Sequence, residues 1–87
     1  MKTFKDLRFK SKKIPKPFDG SQAVLNFENN YGISVINGFG AYCGKNTFEV
    51  AILFNGDLCY DTEITNDVLP YQTEENITDI MIKLQSL

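Results

Sequence analysis

The chain is 87 residues long with a formal net charge of −2, 43% hydrophobic and 23% charged residues, a composition that fits one domain with a single thin core and excludes disorder throughout. It has no histidine and only Cys43 and Cys59, which excludes a disulfide framework and a closed four-ligand zinc site of Cys and His within one chain. No apolar run approaches the ~18 residues of a membrane span, and the basic N-terminus lacks the continuous apolar stretch of a secretory signal, so the protein is expected in a cytoplasm, away from membranes.

Residues 1 to 20 form the first region. They carry seven cations (Lys2, Lys5, Arg8, Lys10, Lys12, Lys13, Lys16) against Asp6 and Asp19, a net of +5, whereas residues 21 to 87 carry Lys45 and Lys83 against nine carboxylates, a net of −7. This reads as a basic arm on an acidic body, either folding onto that body or meeting a different partner. The stretch IPKPFDGS (14 to 21) closes the arm with two prolines and an Asp-Gly pair, through which no helix can run. Within the arm Phe4, Leu7 and Phe9 fit neither the helical nor the strand period. They are expected to dock on the outer face of the sheet, beside Ala51, Leu53 and Cys59.

The second region, 21 to 69, predicts a four-stranded antiparallel meander with strands at 22–28, 31–37, 47–54 and 57–63. In the first hairpin a three-residue loop, with Asn30 in the left-handed conformation that asparagine tolerates, pairs Phe27 with Tyr31, Leu25 with Ile33 and Ala23 with Val35, burying one face. The same rule applied to LFNGDL selects a three-residue loop Phe54-Asn55-Gly56, which sets Ile52 across from Leu58, Val50 across from Tyr60 and Glu49 across from Asp61. The alternative two-residue turn mixes apolar and charged groups on one face.

Residues 70 to 87 supply the cover. Pro70 ends the preceding strand, Thr73 is an N-cap, and Ile77, Ile80, Met81, Leu84 and Leu87 share one side of a helix over 74–86. Glu74 and Glu75 early and Lys83 late complement the helix dipole. The predicted class is therefore α+β: a four-stranded antiparallel β-meander with one C-terminal helix packed on one face, preceded by a basic N-terminal arm.

The loop INGFGAYCGKN (36 to 46) resembles a phosphate cradle only superficially. Such a cradle needs a helix after its glycines, and a strand follows here. A connection of this length is often functional, so Phe39 and Tyr42 are candidate partner contacts. The acidic group Glu49, Asp57, Asp61 and Glu63 is the other candidate surface; it has no calcium-loop spacing, so no metal is assigned. With no histidine to serve as a base, neither cysteine is assigned as a nucleophile, and no catalytic residue or cofactor is expected.

The stretches YGISVINGFGAYCG, FEVAILFNGDLCYDTEITNDV and TEENITDIMIKLQSL resemble a family of small uncharacterised proteins of tailed bacteriophages, over about residues 31 to 87. The likeness lies in Tyr-Gly-x-Ser-Val, in Glu-Val-Ala-Ile before a glycine turn, and in Cys-Tyr-Asp-Thr-x-Ile-Thr-x-Asp-Val before a Thr-Glu-Glu helix. It implies an accessory protein acting inside a bacterial cell and carries over no catalytic residue. The expected function is thus a non-catalytic protein that binds and modulates a host protein or defence complex through Phe39, Tyr42, Glu49, Asp57, Asp61 and Glu63. The alternative is nucleic-acid binding through Lys2, Lys5, Arg8, Lys10, Lys12 and Lys13, interleaved with Phe4 and Phe9.

Overall fold

The structure, a computed structural model, describes residues 1–13, 19–38, 48–59, 62, 64 and 68–87, with the backbone alone described at 11–13, 19 and 38. The architecture is α+β, an antiparallel sheet with one C-terminal helix on one face. Strands β2 (Asp19–Asn26) and β3 (Tyr31–Gly38) form the first hairpin in the expected register, Ala23 opposite Val35 and Leu25 opposite Ile33. The Phe27 amide donates to the Tyr31 carbonyl at 2.7 Å, and Asn30 takes the left-handed conformation with φ 72°. Gly32 is required by a close approach: a Cβ there would lie 2.9 Å from the Leu25 carbonyl oxygen.

Strand β4 (Phe48–Phe54) lies beside β3, with Ile33 opposite Ile52 and Val35 opposite Val50. The hairpin that follows corrects the sequence reading. In β5 (Asp57–Leu58), Leu58 pairs with Leu53 and Asp57 with Phe54. That is the two-residue turn, with Asn55 at φ 53° and Gly56 at φ 87°. Two successive positive φ values define the type I′ turn, whose twist matches that of the flanking strands.

The rejected register is tolerated because β5 ends at Leu58, well short of the level of Val50, whose partner on that side is Leu69. Instead β6 (Leu69–Gln72) takes over that border of β4, pairing Leu69 with Val50 and Gln72 with Phe48 around an irregularity. Pro70 thus lies within a strand rather than ending one. It is an edge strand, where a missing N–H costs no ladder bond. Tyr71, beside it, has φ 59°.

Helix α1 (Glu74–Gln85) buries Ile77, Ile80, Met81 and Leu84. Leu87, assigned to the same face, is 47% exposed and lies beyond the last turn. Thr73 caps the helix, accepting from the Asn76 amide at 3.1 Å, while the Asn76 side chain accepts from the Thr73 amide at 3.2 Å.

A helix of 12 residues is about 18 Å long and ~10 Å wide, enough to cover only part of a sheet whose strands lie ~4.8 Å apart. The N-terminal segment covers more of it. After a 3-10 turn (Phe4–Asp6), Leu7 is buried in the main core with Ile33, Val35, Val50 and the helix. Phe4, Phe9 and Phe48 form a ring trio with centroids 5.3 to 6.0 Å apart. Strand β1 (Lys10–Lys13) then pairs with β2. The basic segment is therefore part of the core, and it docks on the helix side of the sheet rather than over Ala51 and Leu53. Cys59 also packs against the helix-side core.

Candidate functional site

Of the sequence-predicted partner residues, Phe39, Tyr42, Asp61 and Glu63 lie outside the described residues. Glu49 is half-buried on β4 opposite Ile36, and Asp57 is exposed on β5 opposite Phe54. Five strand positions, about 17 Å, separate the pairing positions of Glu49 and Asp57 along β4, so these two carboxylates do not form one acidic site. The expected cross-strand contact of Glu49 with Asp61 lies outside the described residues.

What the fold does assemble is a platform at the two hairpin tips. The Asn55 amide donates to the Asn30 carbonyl at 2.9 Å, tying the β4–β5 turn to the β2–β3 loop. Behind this bond the Tyr31 and Phe54 rings meet with centroids 4.8 Å apart and planes at 59°. Phe54 is 39% exposed beside Asp57, its cross-strand partner, whereas Leu58, opposite Leu53, is 58% exposed on the other face of the sheet.

The first loop is anchored from behind. Asn29 accepts from the Tyr31 amide at 3.2 Å through Oδ1, and its Nδ2 donates to the Leu84 carbonyl at 2.8 Å. A tip tied to its neighbour and to the helix end loses little further freedom on binding. From sequence, Phe54 was assigned to the turn and Leu58 to the buried face opposite Ile52, which its 58% exposure corrects, and Asn29 was given only a place in the loop. The available signal was LFNGDL itself, because a type I′ turn places apolar residues at the very ends of its strands, where no strand beyond covers them.

The cations sit elsewhere. Lys2, Lys5, Arg8 and Lys10 are exposed, and Lys12 and Lys13 belong to β1. Arg8 donates through Nη1 to the carbonyls of Lys5 at 3.1 Å and Leu7 at 3.2 Å. Asp6 accepts from the Thr3 amide at 2.8 Å. This hydrogen bond holds its carboxyl below the usual range, with Lys2, Lys5 and Arg8 adding to the effect. Phe4 and Phe9, the expected stacking surfaces for bases, are engaged with Phe48 instead.

An open groove of about 740 Å³ runs between the N-terminal residues and the first hairpin, lined by Met1, Lys2, Asp6, Phe27, Glu28, Asn29 and Gln85 among others. Gln85 spans it at one end, accepting from the Lys2 amide at 2.9 Å and donating to the Lys2 carbonyl at 2.8 Å. Its walls mix both signs of charge and hold no nucleophile beside a base. Among the described residues, no group of three His, Cys, Asp or Glu side chains could hold a metal ion, and no helix is long and apolar enough to cross a membrane. No family model, no curated protein and no solved structure matches the chain.

Proposed function

We propose that the chain is a non-catalytic protein-binding domain, a phage-type accessory factor that engages and modulates a host protein in the bacterial cytoplasm. The observation that carries this reading is the tied pair of hairpin tips. There Phe54 is exposed beside Asp57, its cross-strand partner on the same face, with Tyr31 packed behind it. An exposed aromatic ring held in place, with a charge beside it, fits the anatomy of an interface, whose core is enriched in aromatic residues and whose rim is polar.

The test is capture from bacterial lysate with immobilised protein, with and without nuclease. A protein partner retained after nuclease treatment, lost in a Phe54→Ser variant and kept in Leu58→Ser on the other face, supports the reading. Capture that disappears with nuclease favours the alternative, nucleic-acid binding through Lys2, Lys5, Arg8, Lys10, Lys12 and Lys13. In that case affinity for a single strand falls by roughly 0.7 log units per contact for each tenfold rise in salt. The interlocked Phe4, Phe9 and Phe48 rings weigh against that alternative, because stacking on aromatic faces supplies much of single-strand affinity.

A further inference from the structure

The two borders of the sheet differ. On the β4 border, β5 is two residues long, and β6 carries Pro70, which has no N–H, and Tyr71 in a left-handed conformation opposite an irregularity in the ladder. An extended chain added there would meet missing donors and a bend. On the other border, β1 runs in unbroken register with β2, from Lys10 opposite Gln22 to Lys13 opposite Asp19. Among the described residues, no strand pairs with its second edge.

We propose that this edge accepts an extended acidic segment of a partner protein, which adds to the sheet as an antiparallel strand along Lys10–Lys13. The backbone of every second residue in an edge strand directs its N–H and C=O away from the sheet, and these groups are the template for strand addition. The edge is held ready for this. Buried Leu7 and the Phe4–Phe9–Phe48 trio fix the chain just before β1, so little ordering remains to be done when a partner arrives.

Charge selects the occupant. The strand reads Lys-Ser-Lys-Lys, with Arg8 two positions ahead of it, its guanidinium anchored on the carbonyls of Lys5 and Leu7. A second copy of β1 pairing antiparallel with the first would set lysine beside lysine, and like charges facing each other across a ladder are destabilising. A segment with glutamate or aspartate at alternate positions, and β-branched residues between them, instead brings opposite charge to this lysine-rich strand together with the backbone bonds. This surface lies across the sheet from the hairpin tips, and the inference stands whether or not the tips bind a partner.

The experiment uses the full chain, isotope-labelled, and three synthetic peptides: Thr-Val-Glu-Val-Glu-Val-Thr, its lysine counterpart, and the glutamate peptide N-methylated at alternate residues. Binding is followed by fluorescence anisotropy, and the site by amide exchange. The glutamate peptide should bind and slow exchange at alternate amides of Lys10–Lys13, leaving Asn30 and Asn55 unchanged, and the N-methylated peptide should not bind. In a Lys10→Glu/Lys12→Glu variant with an unchanged melting temperature, affinity for the glutamate peptide should fall about tenfold and the lysine peptide should bind in its place.

Equal binding of the N-methylated peptide would reduce the site to charge attraction alone and overturn strand addition. So would no binding of the glutamate peptide to the unsubstituted chain at low salt, or tighter binding of oligothymidylate than of that peptide in the same buffer.

Discussion

The two hairpins of this sheet are built from similar words and close differently. In β2–β3 the loop has three residues and Asn30 alone takes positive φ; in β4–β5 it has two, and Asn55 and Gly56 both do. The difference lies in burial. β2 has a buried Ala23 beside an exposed Val24, so alternation fixes its register. β4 is buried on both faces, with Val50 and Ile52 under the helix and Ala51 and Leu53 on the opposite side. For such a strand, slipping the partner by one residue moves no apolar side chain into water from β4 itself. The turn then decides, and Asn-Gly prefers the type I′ geometry.

The largest effect that can sharpen this comparison comes from the shared core. Ile52→Ala should lower unfolding stability by ~2–5 kcal/mol in urea titration, because the side chain is 1% exposed and its loss leaves a cavity in the core between the sheet and the helix. Leu58→Ala, on the adjoining strand but 58% exposed, should change it by less than about 0.5 kcal/mol. Comparable losses at the two sites would show that β5 is packed as deeply as β4.

Next come the turns. Gly56→Ala places a Cβ at φ 87° and should cost ~1–2 kcal/mol. Asn30→Gly, at the left-handed residue of the other loop, should be tolerated within about 0.5 kcal/mol, measured the same way. If Gly56→Ala is neutral, the I′ turn is not what sets the second register.

Tyr71→Gly probes the β6 side of β4. It relieves a left-handed tyrosine but loosens the unfolded chain, for a net gain of at most about 1 kcal/mol. A loss would mean that the exposed ring contributes more than its backbone strain costs.

The smallest effect is that of Asp6. Its folded pKa lies below the ordinary 3.8, so its contribution to stability is complete above that value and is lost as pH falls through the folded pKa. Asp6→Asn should therefore lower stability slightly at neutral pH, flatten the acid limb of a stability–pH curve, and change little below the folded pKa.

The helix, its cap and the first hairpin were legible because each rests on a local rule: a 3.6-residue period from Ile77 to Leu84, a threonine before two glutamates, and one-sided burial from Ala23 to Val35. The second register was not, because β4 carries no alternation to read. The placement of Leu7 and Phe9 was hidden for another reason. Their burial depends on how much of the sheet α1 leaves uncovered, a property of widths and lengths rather than of any sequence window. At the hairpin tips, Asp57 was named as a candidate for its charge alone. Phe54 was assigned to the turn, and its exposure follows only from the shorter loop.

The contacts that close the core span most of the chain. Phe4 N–H reaches Thr78 Oγ1 across 74 positions, Lys2 and Gln85 meet across 83, and Asn29 meets Leu84 across 55. During translation the residues of the apolar face, Ala23, Ile33, Val35, Val50 and Ile52, therefore leave the ribosome before those of their lid. At roughly 5–20 residues per second, a ribosome needs on the order of a second to add α1, and the helix must then clear the exit tunnel. Through that interval the nascent sheet offers other chains a sticky surface with unpaired edges. A transcript truncated before Thr73 should yield a product that accumulates on chaperones or in inclusion bodies, and supplying the α1 peptide in trans should return part of it to solution.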